Sequence, residues 1–281
     1  MATVLDDFDA RPGSVASLLR TVVGVYLRRI GGRIAVADLV ALLGALGVDS
    51  PQARTGIARL RAKGLLVSER GGRDPDGAAR APAYALNPDA VPMLERGDRR
   101  IFQVRRMVPD EPWCLVSFSI SEDRRGARGM LRRRLQWLGA GLAAPGLWIC
   151  PGHLVDEAEL ILADLGLREH ATIFLAEEPR VAGALADAVA RWWDLDGLAA
   201  AHRTFLERAA LLPGASSPER AFAGYVGLVD AWRPITYIDP GLPAALLPAG
   251  WPGLESEGEF ARLSEELAGP AWEHVRAVTG A

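Results

Sequence analysis

The sequence predicts an α+β protein in three segments, and three observations carry that prediction. Amphipathic helices fill residues 14–62 and lead into a strand–turn–strand pair; strands and helices then alternate between 113 and 176; beyond 180 the apolar spacing is almost entirely helical. At 281 residues the chain has room for two or three domains of about 100–150 residues each. A hydrophobic content of 49% supports filled cores. No apolar run reaches the roughly 20 residues of a membrane span, so no membrane partner is expected. The opening residues, MATVLDDFDARPG, are acidic and turn-forming, unlike a secretory signal, and a cytoplasmic location is expected. Cys114 and Cys150 lie inside apolar runs, as reduced, buried thiols would. A disulfide between them is the other reading.

Residues 14–30, SVASLLRTVVGVYLRRI, read as an amphipathic helix with Leu18, Leu19, Val22 and Val25 inward, stopped by Gly31-Gly32. A second helix runs from about Val36 to Leu46 with Leu39, Leu42, Leu43 and Leu46 inward, and Gly47-Val48-Asp49 turns the chain into DSPQARTGIARLRAKGLL, residues 49–66. There Ser50 reads as the N-cap, Pro51 as the first helical position and Gly64 as a left-handed end. Ala53, Ile57 and Leu60 share one face, which leaves Gln52, Arg54, Thr55, Arg59 and Arg61 on the remaining arc. Such a helix suits a DNA major groove: Arg pairs with guanine, Gln with adenine, and a Thr methyl meets thymine. A solvated basic face is the plainer reading. Leu65–Glu69 and Ala83–Leu86 read as strands around RGGRDPDGAARAP, whose tip carries Arg70, Arg73 and Arg80. Three helices followed by a basic hairpin is the order of a winged helix-turn-helix. The candidate DNA contacts are Ser50, Gln52, Arg54, Thr55, Arg59 and Arg61 on the helix, with Arg70, Arg73 and Arg80 on the wing.

A helix from about Pro88 to Val104 then leads to the linker MVPDEP. Strand Trp113–Ile120, helix Glu122–Leu138, loop GAGLAAPG, strand Leu147–Cys150, helix Val155–Leu165 and strand Ala171–Ala176 follow, an order that suggests a ferredoxin-like α/β domain. From Arg180 a long helix breaks near Asp194–Gly197. A second spans Pro218–Trp232 and ends before Pro234, DPGLPAALLPAGWPG is an irregular wrap, and a last helix covers Glu257–Leu267. The expected domains are 1–106, 107–180 and 181–281, the last mainly helical.

The net charge of -3 conceals an asymmetry. Residues 1–106 carry 17 Arg/Lys against 11 Asp/Glu, or +6, while the remaining 15 and 24 give the rest of the chain -9. A basic head on an acidic body fits a phosphate-binding module joined to a sensing or dimerising one, and argues against an architectural protein that is basic throughout. Only Lys63 among the 32 basic residues is a lysine, so an arginine-rich coding bias weakens arguments from Arg count alone.

Within the body, Arg125, Arg128 and Arg132 share one face opposite Ala127, Leu131 and Leu135. That face would attract a phosphate-rich ligand such as coenzyme A, or DNA; its plainer reading is a solvated face. Asp123 after the first body strand invites a metal-dependent nuclease reading, yet Glu122-Asp123 also suits a helix N-terminus. His153, His170, His202 and His274 are scattered without a second ligand at metal spacing, and there is no Gly-rich phosphate loop or GxSxG elbow. No cofactor, no metal and no enzymatic activity are expected. Trp192, Trp193, Trp232, Trp251 and Trp272 read mainly as core, with one or two available to line an aryl pocket.

The body also carries a family resemblance. WLGAGLAAPGLWICP (137–151), RWWDLDGLAAAHRTFL (191–206), LVDAWRPITYIDPGLPAALLPAGWPG (228–253) and FARLSEELAGPAWE (260–273) resemble, in order, signature segments of the PaaX family, bacterial repressors of phenylacetate catabolism. The resemblance implies a winged-helix DNA reader, a ferredoxin-like domain akin to a CRISPR-associated spacer-acquisition subunit, and a C-terminal helical domain. It also implies a homodimer on a palindromic double-stranded operator, released by an aryl- or acyl-CoA thioester such as phenylacetyl-CoA. The candidate effector contacts are Arg125, Arg128, Arg132, Trp192 and His202. His202 stands where the family commonly has Tyr, and Ala140 where it has Phe or similar. The alternatives are a metal-dependent nucleic-acid-processing enzyme using the central domain, and a constitutive DNA binder without an effector.

Overall fold

A computed structural model describes residues 11–69 and 81–281; it mixes helix with two small antiparallel sheets, the α+β class expected. By contacts the chain divides into two units. The first is the described part of Met1–Phe102 with Phe205–Arg233 and Glu257–Ala281; the second is Gln103–Thr204 with Pro234–Ser256.

In the first unit, α1 (Val15–Val22) starts behind Ser14, whose hydroxyl accepts the Ser17 N–H, and continues as one π-helical turn to Leu27. Then come β1 (Arg33–Ala35), α2 (Val36–Gly44), α3 (Ser50–Ala62), β2 (Leu66–Glu69), β3 (Ala83–Leu86) and α4 (Val91–Phe102). The sheet order is β1-β3-β2, antiparallel throughout. The sequence reading missed β1, because three residues are too few for alternation to register. It also misplaced the cap of α3. The Asp49 carboxylate accepts the Gln52 N–H at 2.8 Å, and Ser50 is the first helical residue. A carboxylate there both caps the helix and complements its dipole. Gly64 ends α3 as expected, with φ +79°. The segment expected to form a wing tip, with Arg70, Arg73 and Arg80, lies outside the described residues.

The second unit holds β4 (Trp113–Phe118), α5 (Arg125–Trp137), β5 (Gly141–Ala144), β6 (Leu147–Pro151), α6 (Val155–Asp164), β7 (Ala171–Ala176) and α7 (Leu185–Trp192). Its strands lie in the order β5-β6-β4-β7, each pair antiparallel. The stretch expected as a loop, GAGLAAPG, therefore contains a strand. Its small residues hide that fact, because a neighbour supplies the bulk: a Cβ on Gly141 would come within 2.7 Å of the Trp193 indole. Cys114, Val116, Leu131, Leu135, Trp148 and Leu162 pack on one face of the sheet. Trp113, Ile149, Val189, Trp193 and Leu242 pack in a separate cluster. Cys114 and Cys150 sit opposite one another across β4 and β6 as buried free thiols. A hydrogen bond with Cys150 holds the Cys114 thiol below its ordinary range, against the effect of burial.

Three longer helices complete the chain: α8 (Leu195–Ala209), α9 (Pro218–Ile238) and α10 (Gly253–Thr279). Asp194 starts α8 by accepting the Gly197 N–H at 2.9 Å, which places the break inside the long helical stretch. Two expected ends were wrong. α9 runs through Pro234 and α10 through Pro270. A proline inside a helix costs about 3 kcal/mol, but buried side chains flank both sites. Val229, Trp232 and Ile235 surround the first, and Leu267, Ala271 and Val275 the second. Residues 181–281 thus contribute to both units. No described helix is long and apolar enough to cross a membrane.

Candidate nucleic-acid interface and second-unit cavity

α3 is positioned by its apolar seam. Ala53, Ile57 and Leu60 are buried, and α1 crosses closely at Gly56, where an added Cβ would lie 3.1 Å from Val15 Cγ1. The seam leaves Ser50, Gln52, Arg54, Thr55, Arg59 and Arg61 all exposed. They form two stripes. Gln52, Thr55 and Arg59 border α1 and line a groove of about 1010 Å³. Arg61 is on the other side, where its guanidinium donates to Ser68 Oγ of β2 at 3.2 Å. Thr55 Oγ1 donates to the Pro51 carbonyl at 2.9 Å, so its hydroxyl is satisfied within the helix and its methyl remains for apolar contact. Arg11 and Lys63, which the sequence reading passed over, line the same groove. Arg11 was legible as a cation just before a capped helix; Lys63 was hidden by its place at the helix end.

The second unit has its own cavity, of about 560 Å³. Its walls are Trp148, Trp192, Trp193 and Leu198, with Arg132, Gln136 and Asp194 as polar members and Ala140 as a small one. Trp193 is fixed by its Nε1–H, which donates to the Gly139 carbonyl at 2.8 Å. Trp192, packed 6.2 Å from Trp193, is half-buried. Of the five effector candidates, Arg132 and Trp192 meet here. Arg125 is exposed on the same helix, while Arg128 is paired with Glu122 at 2.6 Å. Arg132 has no carboxylate partner among the described residues, so its charge is available to a ligand.

His202 stands elsewhere. It is 1% exposed, its Nε2 lies 2.9 Å from Asp239 Oδ2, and its ring packs edge-on against Trp251 at 6.0 Å. Asp239 Oδ1 accepts the Gly241 N–H at 2.8 Å. Burial pushes the Asp239 carboxyl up; the hydrogen bonds from His202 and Gly241 and the charges of His202 and Arg106 outweigh it, holding the group below the usual carboxylate range. Asp123 is fully exposed, and its carboxyl is held down chiefly by the Ser121 hydroxyl. No cluster of three potential metal ligands occurs among the described residues.

Comparison with known proteins joins these parts. Three family models match in succession: a PaaX-like protein model over residues 14–76, the PaaX protein central Cas2-like domain over 106–188, and the PaaX-like protein C-terminal domain over 193–277. The transcriptional repressor PaaX of Escherichia coli K12 is 29% identical over 255 residues, spanning 87% of this chain and 78% of that protein. The uncharacterized protein Rv0674 from Mycobacterium tuberculosis shares the fold at TM-score 0.59 and 24% identity, over 94% of this chain and 99% of that one. With its head, central and C-terminal segments matched in the family's order, this chain belongs to the PaaX family.

Proposed function

We propose that the chain is a transcriptional repressor that reads a double-stranded operator with α3 and is released by an aryl- or acyl-CoA thioester. The observation that carries this reading is the exposed arc of α3. A helix fixed on one side by Ala53, Ile57 and Leu60 presents Gln52, Arg54, Thr55 and Arg59 outward, the side-chain types that recognise base edges. In this reading α1–α3 with β1–β3 form a winged helix-turn-helix, and Arg70, Arg73 and Arg80 on the wing hold phosphates. In the same reading β4–β7 with α5 and α6 form a ferredoxin-like domain, which the strand order β5-β6-β4-β7 supports. The segments 1–106, 107–180 and 181–281 are then the reader, the ferredoxin-like domain and the C-terminal helical portion. The name of the Escherichia coli relative supports repression rather than catalysis. A homodimer places two heads on the two halves of a palindrome.

The thioester reading rests on the second-unit cavity. Indoles offer stacking surface to an acyl or aryl group, Gln136 a hydrogen bond, and Arg132 a charge for the anionic part. Arg125, Arg128 and Arg132 lie at i, i+3 and i+7, a track about 10 Å long that suits successive phosphates. His202, in this scheme, supports the unit through Asp239 and Trp251 without touching the ligand. Arg132→Ala is expected to weaken thioester binding by at least tenfold in calorimetry while leaving operator affinity without ligand unchanged. An unaltered thioester affinity would move the ligand away from this cavity.

DNA reading is tested by Arg59→Ala. The variant is expected to lose about 1–3 kcal/mol of operator affinity, with discrimination relaxed at one or two base positions. Equal losses on operator and random duplex would mean that Arg59 contacts only the backbone. Incubation of labelled duplex with Mg²⁺ or Mn²⁺ is expected to give retention without cleavage.

A further inference from the structure

We infer that Asp230, on α9, positions Arg11 to bind a DNA phosphate beside the recognition helix, so that the C-terminal part of the chain belongs to the DNA reader. The inference rests on the DNA-reading role proposed for α3.

Asp230 is 1% exposed and fully engaged. Its Oδ2 accepts the Gly13 N–H at 2.6 Å; its Oδ1 accepts the hydroxyls of Ser17 at 2.5 Å and Thr21 at 3.0 Å. Arg233, 3.4 Å from Oδ1, also donates to Ser17 Oγ at 2.8 Å. A buried carboxylate is costly unless its lone pairs are filled, and here α1 and the turn before it fill them. The turn is closed at Arg11, whose carbonyl accepts the Ser14 N–H at 3.0 Å. Gly13 takes φ +86°, which few other residues adopt without strain. The Arg11 backbone is therefore tied to Ser14 directly and to Asp230 through Gly13.

That placement sets Arg11 in the groove beside α3. Arg11 and Ser14 are on one wall, Gln52, Thr55 and Arg59 on the other, and Lys63 also lines it. Among the described residues, no acidic side chain lines this groove. Its outer wall is made by the same residues that face the bases, so the groove continues the reading surface, and its charge suits the sugar–phosphate strand flanking the bases read by α3.

The test measures affinity of the full chain for operator and random duplexes by fluorescence anisotropy between 50 and 200 mM KCl. Each phosphate contact adds about 0.9 to the slope of log affinity against log salt. Arg11→Ala, at an exposed side chain, is expected to lower the slope by about that amount and affinity about eightfold at 0.1 M salt, on both duplexes alike. Asp230→Asn is expected to do the same, and the double variant to lose no more than either alone, because both remove one contact. Gly13→Ala gives the same readout without entering the core: no atom of the described residues lies within 4 Å of its added Cβ, and the backbone strain at φ +86° displaces the turn. An unchanged slope in Arg11→Ala, with Arg59→Ala still impaired on operator, would overturn the inference and leave α3 as the reader. Fully additive losses in the double variant would reduce Asp230 to a structural residue and overturn its positioning role. A parent protein that binds neither duplex would remove the DNA-reading role and the inference together.

Discussion

Trp232→Ala is expected to destabilise the first unit by about 3–5 kcal/mol. Trp232 is 1% exposed on α9, packed 5.0 Å from the ring of Phe205 and 5.1 Å from that of Phe260. Its Nε1–H donates to the Ile101 carbonyl at the end of α4. Truncation opens a large cavity and leaves that carbonyl without its donor, so the transfer, cavity and hydrogen-bond losses act together. Typical domain stability is 5–15 kcal/mol, so a loss of this size leaves the unit marginal. Urea denaturation followed by circular dichroism should show a lower midpoint with an unchanged slope. A variant that matches the parent midpoint would show that α9 does not organise the first unit.

Asp239→Ala is expected to cost the second unit about 3 kcal/mol at neutral pH. It removes the partner of His202 Nε2 and the acceptor of the Gly241 N–H inside a buried site. The effect depends on pH, and its sign follows from the carboxyl. Because the folded state holds Asp239 below its ordinary range, its stabilising contribution is fully present above about pH 4, near the unfolded carboxyl pKa. The contribution is lost as pH falls through the lower folded value. The difference between parent and variant should therefore be constant from pH 8 to about pH 5 and shrink in more acid buffer. A difference that grows on acidification would mean that the pair is not held by an ionised Asp239.

Much of this molecule was legible wherever the chain repeats an apolar spacing. Ala53, Ile57 and Leu60 predicted both the seam of α3 and, by exclusion, its exposed candidates. The apolar stretches Trp113–Ile120 and Leu147–Cys150 predicted the inner strands of the second sheet. What failed to show was whatever depends on a distant neighbour. β5 is made of small residues because Trp193 lies against Gly141, and nothing in GAGLAAPG announces that. Pro234 and Pro270 read as stops, since local rules cannot see the buried residues on either side that keep α9 and α10 continuous. Asp230 read as one more acid on a helix; its four-residue network needs Gly13, Ser17 and Thr21, more than 200 positions earlier. Arg132 and Trp192, named from a charged helix face and a tryptophan-rich segment, both line the second-unit cavity. His202 was drawn in by the family pattern, although its place is a buried pair with Asp239.

Ligand-released repression is tested most directly by the affinity of the full chain for operator duplex with and without saturating aryl- or acyl-CoA thioester. A ligand shifts DNA binding only if it prefers the DNA-free arrangement, and couplings of this kind are about 1–3 kcal/mol. The thioester should therefore weaken operator binding roughly 5–150-fold, and operator should weaken thioester binding by the same factor. Identical operator affinities at saturating thioester, across a panel of aryl and acyl groups, would contradict release by this class of effector and leave a constitutive DNA binder.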